Sequence, residues 1–254
     1  SAEEPGVINV TPPSWRFDLQ FEEDLIEEVA RVVGFDKLPE TPPLAPLQAL
    51  GPTETRRSAF AVRHTLANRG YQEVISFSFV EERWERELAG NHNPIRVLNP
   101  IAAPLAVMRS SLVGSLVGTL RHNLARKADR VRLFELGRVY ARDAGVVAGA
   151  FSVAGISQPM RVGALAYGPV APTQWGQGER RADYFDIKGD LEALLVPRQA
   201  VLRQASHAAL HPGRNAEVWL GERCIGVVGE LHPRWRQAYE LPQAPVLFEL
   251  ELEA

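Results

Sequence analysis

Apolar residues recur at helical spacing in several stretches of the chain. Leu25, Val29 and Val32 form an inward stripe over 21–33, with Gly34 as the stop; Ala59, Val62 and Leu66 do so over 53–69, with Thr53 as candidate cap and Gly70 as the end. Leu112, Leu116, Val117, Leu120 and Leu124 mark a third helix over 112–124, and shorter ones are predicted at 186–195 and 233–239. Alternation of period two predicts strands at 6–11, 73–80, 131–140, 161–167, 201–206, 216–220, 225–231 and 246–252. Short strands joined by tight turns outnumber strand–helix–strand alternations. The pattern therefore predicts an α+β fold, an antiparallel sheet flanked by helices, rather than a doubly wound parallel sheet.

Five prolines (39, 42, 43, 46 and 52) interrupt this pattern, a composition that resists both helix and sheet. They set an expected division into a small unit over 1–44, a Pro-rich linker over 45–52 and a large unit over 53–254. About forty residues are too few for an independent core, so the first unit is expected to be truncated or to lean on the second. The chain starts at Ser1 and its last strand has no terminal cap, which suggests a piece of a longer protein.

Composition adds exclusions. With 254 residues, 45% of them hydrophobic, the chain can bury one large core or two unequal ones. A net charge of -3 supplies no global positive field for nucleic acid. The single cysteine, Cys224, cannot form an internal disulfide, no Cys/His pair has zinc-finger spacing, and no apolar run reaches the roughly twenty residues of a membrane span. A soluble cytoplasmic protein is expected.

Candidate chemistry is sparse. On a helix Asp24, Glu27 and Glu28 share one face, with Asp18 just upstream, so a hard cation such as magnesium would relieve their repulsion; acidic residues in a first helical turn are equally explained by the macrodipole. Arg109 with Ser110 and Ser111, just before the 112–124 helix, has the makings of an anion site. Asp183 is read as a helix cap, His211-Pro212-Gly213-Arg214 as a type II turn, and His232-Pro233 as a helix start. The six histidines are scattered, and there is neither a GxSxG serine nor a Gly-rich phosphate loop.

Several segments in order then carry a family resemblance: PSWRFDLQFEEDLIEEVARVVGFDKLP (13–39), MRSSLVGSLVGTLRHNLAR (108–126) with LFELGRVY (133–140), DYFDIKGDLEALL (183–195), and HPGRNAEVWL with IGVVGELHP (211–233). Together they resemble the bacterial phenylalanyl-tRNA synthetase beta subunit over most of the chain. The resemblance implies the end of a small winged-helix-like B5 domain followed by a catalytic-like module built on the class II synthetase sheet. It implies magnesium at Asp18, Asp24, Glu27 and Glu28, and an alpha subunit as partner in an alpha2-beta2 heterotetramer that uses ATP to attach phenylalanine to tRNA.

The same resemblance implies that the module is itself inactive. A working class II site holds the ATP alpha-phosphate with a strand arginine, and here Arg142 is one residue out of phase with the family pattern, which turns it to the opposite face. Gly226 and Gly229 resemble the Gly-rich strand, yet Glu230-Leu231-His232 follow where a cation is required. The helix–strand unit from Arg56 to Phe79 matches the interface-building motif, and Arg56, Arg57, Arg63 and Arg69 are either partners for alpha-subunit carboxylates or a solvated face. Two other readings remain at this stage. One is a class II-like enzyme or ligand-binding module with a repurposed pocket around Arg109, Asp183 and His211; the other is a nucleic-acid-binding module, against which the acidity of the 21–33 helix argues.

Overall fold

A computed structural model of the chain describes residues 6–42, 44, 57–150 and 152–252. The chain divides into two compact units, 1–51 and 52–254. The expected linker, 45–52, lies outside the described residues.

In the first unit, helix α1 (Glu22–Val33) forms where the 3.6-residue pattern places it, and Gly34, at a positive φ of 101°, ends it. The expected inward stripe is not buried. Val29 and Val32 are 62% and 87% exposed, and only Ala30 of the helix is buried, as expected for a unit too small to build a core. Residues 7–12 form no strand, although they alternate, because no ladder partner for them exists among the described residues.

The second unit begins, among its described elements, with α2 (Ala59–Asn68), whose cap is Ser58: its hydroxyl accepts from the Ala61 amide at 3.2 Å. Thr53 lies outside the described residues. The segment read as one strand over 73–80 divides into β1 (Gln72–Glu73) and β2 (Phe79–Val80), and between them Ile75 is 94% and Phe77 70% exposed. A short helix α3 (Glu82–Trp84), strand β3 (Val107–Met108) and helix α4 (Val113–Leu124) follow. Next come β4 (Val131–Arg138), the small hairpin β5 (Ala141–Arg142) and β6 (Ile156–Ser157), β7 (Met160–Tyr167) and α5 (Tyr184–Leu195). The chain closes with β8 (Val201–Gln204), β9 (Leu210–Leu220), β10 (Arg223–Leu231), α6 (Pro233–Ala238) and β11 (Val246–Glu251).

Seven strands form one sheet in the order β1-β4-β7-β11-β10-β9-β8, antiparallel throughout except for the β1–β4 pair. Alternation along the central strands sends successive side chains to opposite faces. Phe134, Val162 and Phe248 pack under α2 and α5, while Leu133, Leu165 and Leu247 pack under α4 and α6. Leu112, Leu116 and Leu120 are fully buried on α4, each contributing about 1.5–3 kcal/mol of transfer free energy. Leu112 and Leu116 settle over Gly163, where a β-carbon would come within 3.2 Å of the first and 3.0 Å of the second.

Residues 211–214 are not the expected turn. Leu210 pairs with Leu231 and Asn215 with Gly229, so four residues oppose Glu230 alone and the segment bulges within β9. The Gly-rich stretch of β10 is also explained by packing. A β-carbon on Gly226 would sit 2.0 Å from the Glu249 carbonyl oxygen of β11, and one on Gly229 would sit 2.7 Å from the Arg214 carbonyl oxygen. Gly226→Ala is therefore expected to cost about 1–3 kcal/mol, the range for overpacking, read as a lower urea midpoint with an unchanged slope. A midpoint equal to that of the unaltered chain refutes this tight fit.

Candidate functional site

The face of the sheet under α4 is where the fold positions its chemistry. Three carboxylates from separate parts of the chain, Glu85, Glu135 and Glu249, converge on residues 109–112 at the start of α4, and each is only 2–3% exposed. Burying such groups is costly unless each is paired or hydrogen-bonded, and all three are. Glu135, from β4, takes the Arg109 guanidinium at 2.7 Å and the Ser76 hydroxyl at 2.7 Å. Arg109 also donates from Nε to the Arg138 carbonyl oxygen at 3.1 Å. Its side chain has room because position 137 is glycine; a β-carbon there would lie 2.2 Å from Nη2.

Glu249, from β11, accepts from the Leu112 amide and the Ser111 hydroxyl, both at 2.8 Å, and lies 3.4 Å from Arg161 of β7. Glu85 accepts from the Ser110 amide and from Asn91 Nδ2, both at 2.9 Å. The anion site anticipated at Arg109, Ser110 and Ser111 is thus present as geometry, and the chain's own carboxylates fill it. His207 lies close enough to Glu249 and Arg161 to feel both; burial pushes its imidazole below the ordinary histidine range, against the raising pull of Glu249. Arg109 and Arg161 on this face are neutralised in place by Glu135 and Glu249.

On the opposite face Asp190 of α5, 5% exposed, joins three elements. It accepts from Arg69 at 2.5 Å, Tyr71 at 2.6 Å and Arg132 at 3.1 Å. Burial together with the Asp190 charge drives the Tyr71 phenol far above its ordinary range, so it stays a proton donor. Sequence pattern alone does not single out Asp190 or the three glutamates. Glu135 and Glu249 have one signal, a lone acid inside an apolar run, LFELG and VLFEL; Glu85 and Asp190 stand among other charged residues and have none.

Arg109, Asp183 and His211 do not share a partner. Asp183 caps α5, accepting from the Phe185 and Asp186 amides at 2.8 and 3.2 Å, and His211 accepts from the Gly213 amide at 3.0 Å within the bulge. His232 caps α6 as its sequence suggests, accepting from Arg234 N at 3.1 Å. Arg142 is exposed on the small hairpin, outside the seven-stranded sheet, and Glu230 is paired with Arg214 at 2.8 Å. The arginines expected at an interface are largely engaged as well. Arg57 donates to the Leu194 and Val196 carbonyls at the end of α5, Arg63 pairs with Glu73, and Arg69 with Asp190; Arg56 lies outside the described residues.

In the first unit the four acidic residues are spread over different tasks. Arg16 bridges Asp18 at 2.8 Å and Glu28 at 2.6 Å, and Arg31 also reaches Glu28. These guanidinium bonds hold the Asp18 and Glu28 carboxyls below the usual carboxylate range. Asp24 turns back to the helix start and accepts from the Gln20 and Phe21 amides, both at 2.8 Å, which lowers its own carboxyl. Glu27 is exposed. Among the described residues no three acidic, histidine or cysteine side chains are placed to hold one cation.

Comparison with known proteins agrees with this architecture. The fold is similar to a pyrrolysyl tRNA synthetase of Desulfitobacterium hafniense, with a TM-score of 0.52 at 15% identity, covering 79% of this chain and 66% of that one. The chain is 58% identical over 248 residues, 98% of its length, to the phenylalanine–tRNA ligase beta subunit of Burkholderia pseudomallei, and spans 31% of that protein. It is 58% identical over 248 residues to the same subunit of Cupriavidus pinatubonensis, 30% of which it spans, and 52% identical over 247 residues to that of Bordetella bronchiseptica, where it spans 31%. Residues 1–35 match the tRNA synthetase B5 domain and residues 38–252 the phenylalanyl tRNA synthetase beta chain CLM domain. With a class II-like sheet and with both domain matches in order, the chain belongs to the phenylalanyl-tRNA synthetase beta-subunit family and corresponds to a region of that subunit.

Proposed function

We propose that this region is a non-catalytic structural module of phenylalanine–tRNA ligase, pairing with the catalytic alpha subunit in a cytoplasmic alpha2-beta2 heterotetramer. The assembled enzyme would use ATP and magnesium and engage tRNA. One observation carries this reading: Arg109 and Arg161, the arginines at the sheet face under α4, are bound by Glu135 and Glu249 of the same chain. A nucleotide would have to displace carboxylates that are already paired, and the residual field at such a pair is weak. No helix among the described residues is long and apolar enough to cross a membrane.

Calorimetry on the full-length beta subunit, titrated with ATP and with phenylalanine, is expected to show no binding tighter than about 1 mM. Micromolar binding of ATP by the beta subunit alone overturns the reading. Magnesium at Asp18, Asp24, Glu27 and Glu28 would belong to the assembled enzyme: Arg16 would have to release Asp18 and Glu28, and further ligands would come from a partner. No step of the reaction is assigned to that ion.

A further inference from the structure

In a chain whose net charge is -3, the stretch RHNLARKADRVR (121–132) carries Arg121, Arg126, Lys127, Arg130 and Arg132 against one acid, Asp129. Of these, Arg132 is spent on Asp190. The fold brings further cations to the same end of the sheet. Val131 of β4 pairs with Tyr167 of β7, and the next residue, Gly168 at φ 82°, turns so close to the start of β4 that a β-carbon would lie 2.0 Å from the Asp129 carbonyl oxygen. Arg130 donates to the Val170 carbonyl oxygen at 3.2 Å, and Pro169 forms an isolated bridge with Arg181. Arg181 and Arg236 of α6 both stand near enough to Tyr167 to pull its phenol down, against the burial that raises it. Arg126, Lys127, Arg130, Arg181 and Arg236 thus meet from four parts of the chain.

None of these five takes part in an ion pair among the described residues. Arg126, Arg130 and Arg236 donate to the carbonyls of His122, Val170 and Leu241 at 3.1, 3.2 and 3.3 Å, which orients them without cancelling their charge. Arg130 is half-buried with its Nε unpartnered, and burial together with the neighbouring Arg132 charge holds its guanidinium below the ordinary arginine range. Lys127 sits at φ 64°, a left-handed conformation in which glycine is the favoured residue after a helix. Cations at a helix C-terminus offset the macrodipole, which accounts for Arg126 and Lys127 but not for Arg130, Arg181 or Arg236 on other elements. The exposed acids nearby in sequence, Asp129, Glu179 and Glu240, are too few to balance them.

We infer that this basic end of the sheet is a contact surface for the phosphate backbone of tRNA. The inference rests on the reading above that the assembled enzyme engages tRNA, and it adds where this region meets it. RNA is favoured over an acidic protein because no large apolar side chain is exposed at 121–132 or 233–242, so the patch lacks the apolar centre of a protein interface. Backbone phosphates need only cations at the surface. Such contacts position the RNA and carry no sequence information, so their loss weakens every tRNA alike.

The test uses full-length alpha and beta subunits co-expressed and purified together, with the beta chain unaltered, as Lys127→Gly, or as Arg126→Gln/Arg181→Gln. Binding of phenylalanine tRNA and of an unrelated tRNA is followed by fluorescence anisotropy across a salt series, and each beta chain's melting temperature is measured. Lys127→Gly is expected to bind both tRNAs about threefold more weakly while melting higher, because glycine relieves the left-handed backbone. The double variant is expected to bind both about tenfold more weakly, with the slope of log affinity against log salt reduced by about two and the melting temperature unchanged. Affinities and slopes equal to those of the unaltered enzyme overturn the contact surface and leave the proposed role of the region intact. Loss of co-purification with the alpha subunit in the double variant assigns the patch to an acidic protein surface and overturns the inference. Failure of the unaltered enzyme to bind tRNA overturns the reading on which the inference rests.

Discussion

Arg109→Ala is expected to destabilise the protein by about 3–5 kcal/mol, the penalty for removing one partner of a buried ion pair. Arg109 and Glu135 are both about 3% exposed on their side chains, so water cannot replace the lost guanidinium. What remains around Glu135 is the Ser76 hydroxyl and a long contact from its amide at 3.3 Å, too little for a buried anion. Truncation also empties the space that Gly137 leaves for the arginine, adding a cavity cost. The double substitution Arg109→Met/Glu135→Met is expected to recover most of the loss, because apolar residues of similar volume satisfy the site without leaving a charge behind. Urea unfolding of both variants of the full-length subunit measures the difference. If the double variant is no more stable than the single one, the pair is not the reason for the loss.

The distinction between one partner and two also explains why this site was hard to read from the sequence. Amphipathic spacing located α1, α4 and α5 to within a few residues, because each helix advertises a continuous apolar stripe. Asp183 and His232 were recognisable as caps for the same local reason. Arg109 was recognised as a candidate cation, yet its partner stands 26 residues on, in a strand where Glu135 looks like an ordinary acid between Phe134 and Leu136. Glu249 is 137 residues from Leu112. Pairings of that kind are fixed by sheet order, which no periodicity encodes.

Local pattern misled in two places for related reasons. Glu73–Val80 alternates well enough for a strand, but only its first residues find β4, and the rest leave the sheet with Ile75 and Phe77 in solvent. The 211–214 segment has turn-forming residues but is held inside β9 by ladder pairs on both sides of it. In the first unit the cation beside the acidic stretch is Arg16, which reaches Asp18 two residues away and Glu28 twelve residues away.

Glu249→Ala is expected to be the second severe substitution, again costing about 3–5 kcal/mol, but with a consequence that Arg109→Ala lacks. Glu249 is the internal anion at the start of α4: it takes the Leu112 amide and the Ser111 hydroxyl, and it faces Arg161. Without it, an amide at a helix N-terminus, a hydroxyl and a guanidinium converge on a vacated volume, the elements that recognise sulfate or phosphate. Added sulfate is therefore expected to raise the melting temperature of Glu249→Ala more than that of the unaltered protein. At ten times its dissociation constant the ion would restore about 1.4 kcal/mol. Glu249→Gln, which keeps an acceptor and fills the volume, is expected to lose less stability and to gain nothing from sulfate beyond the general salt effect. Equal sulfate responses in all three proteins would mean that Glu249 only fills space, and that α4 never offered the anion-binding geometry its sequence suggests.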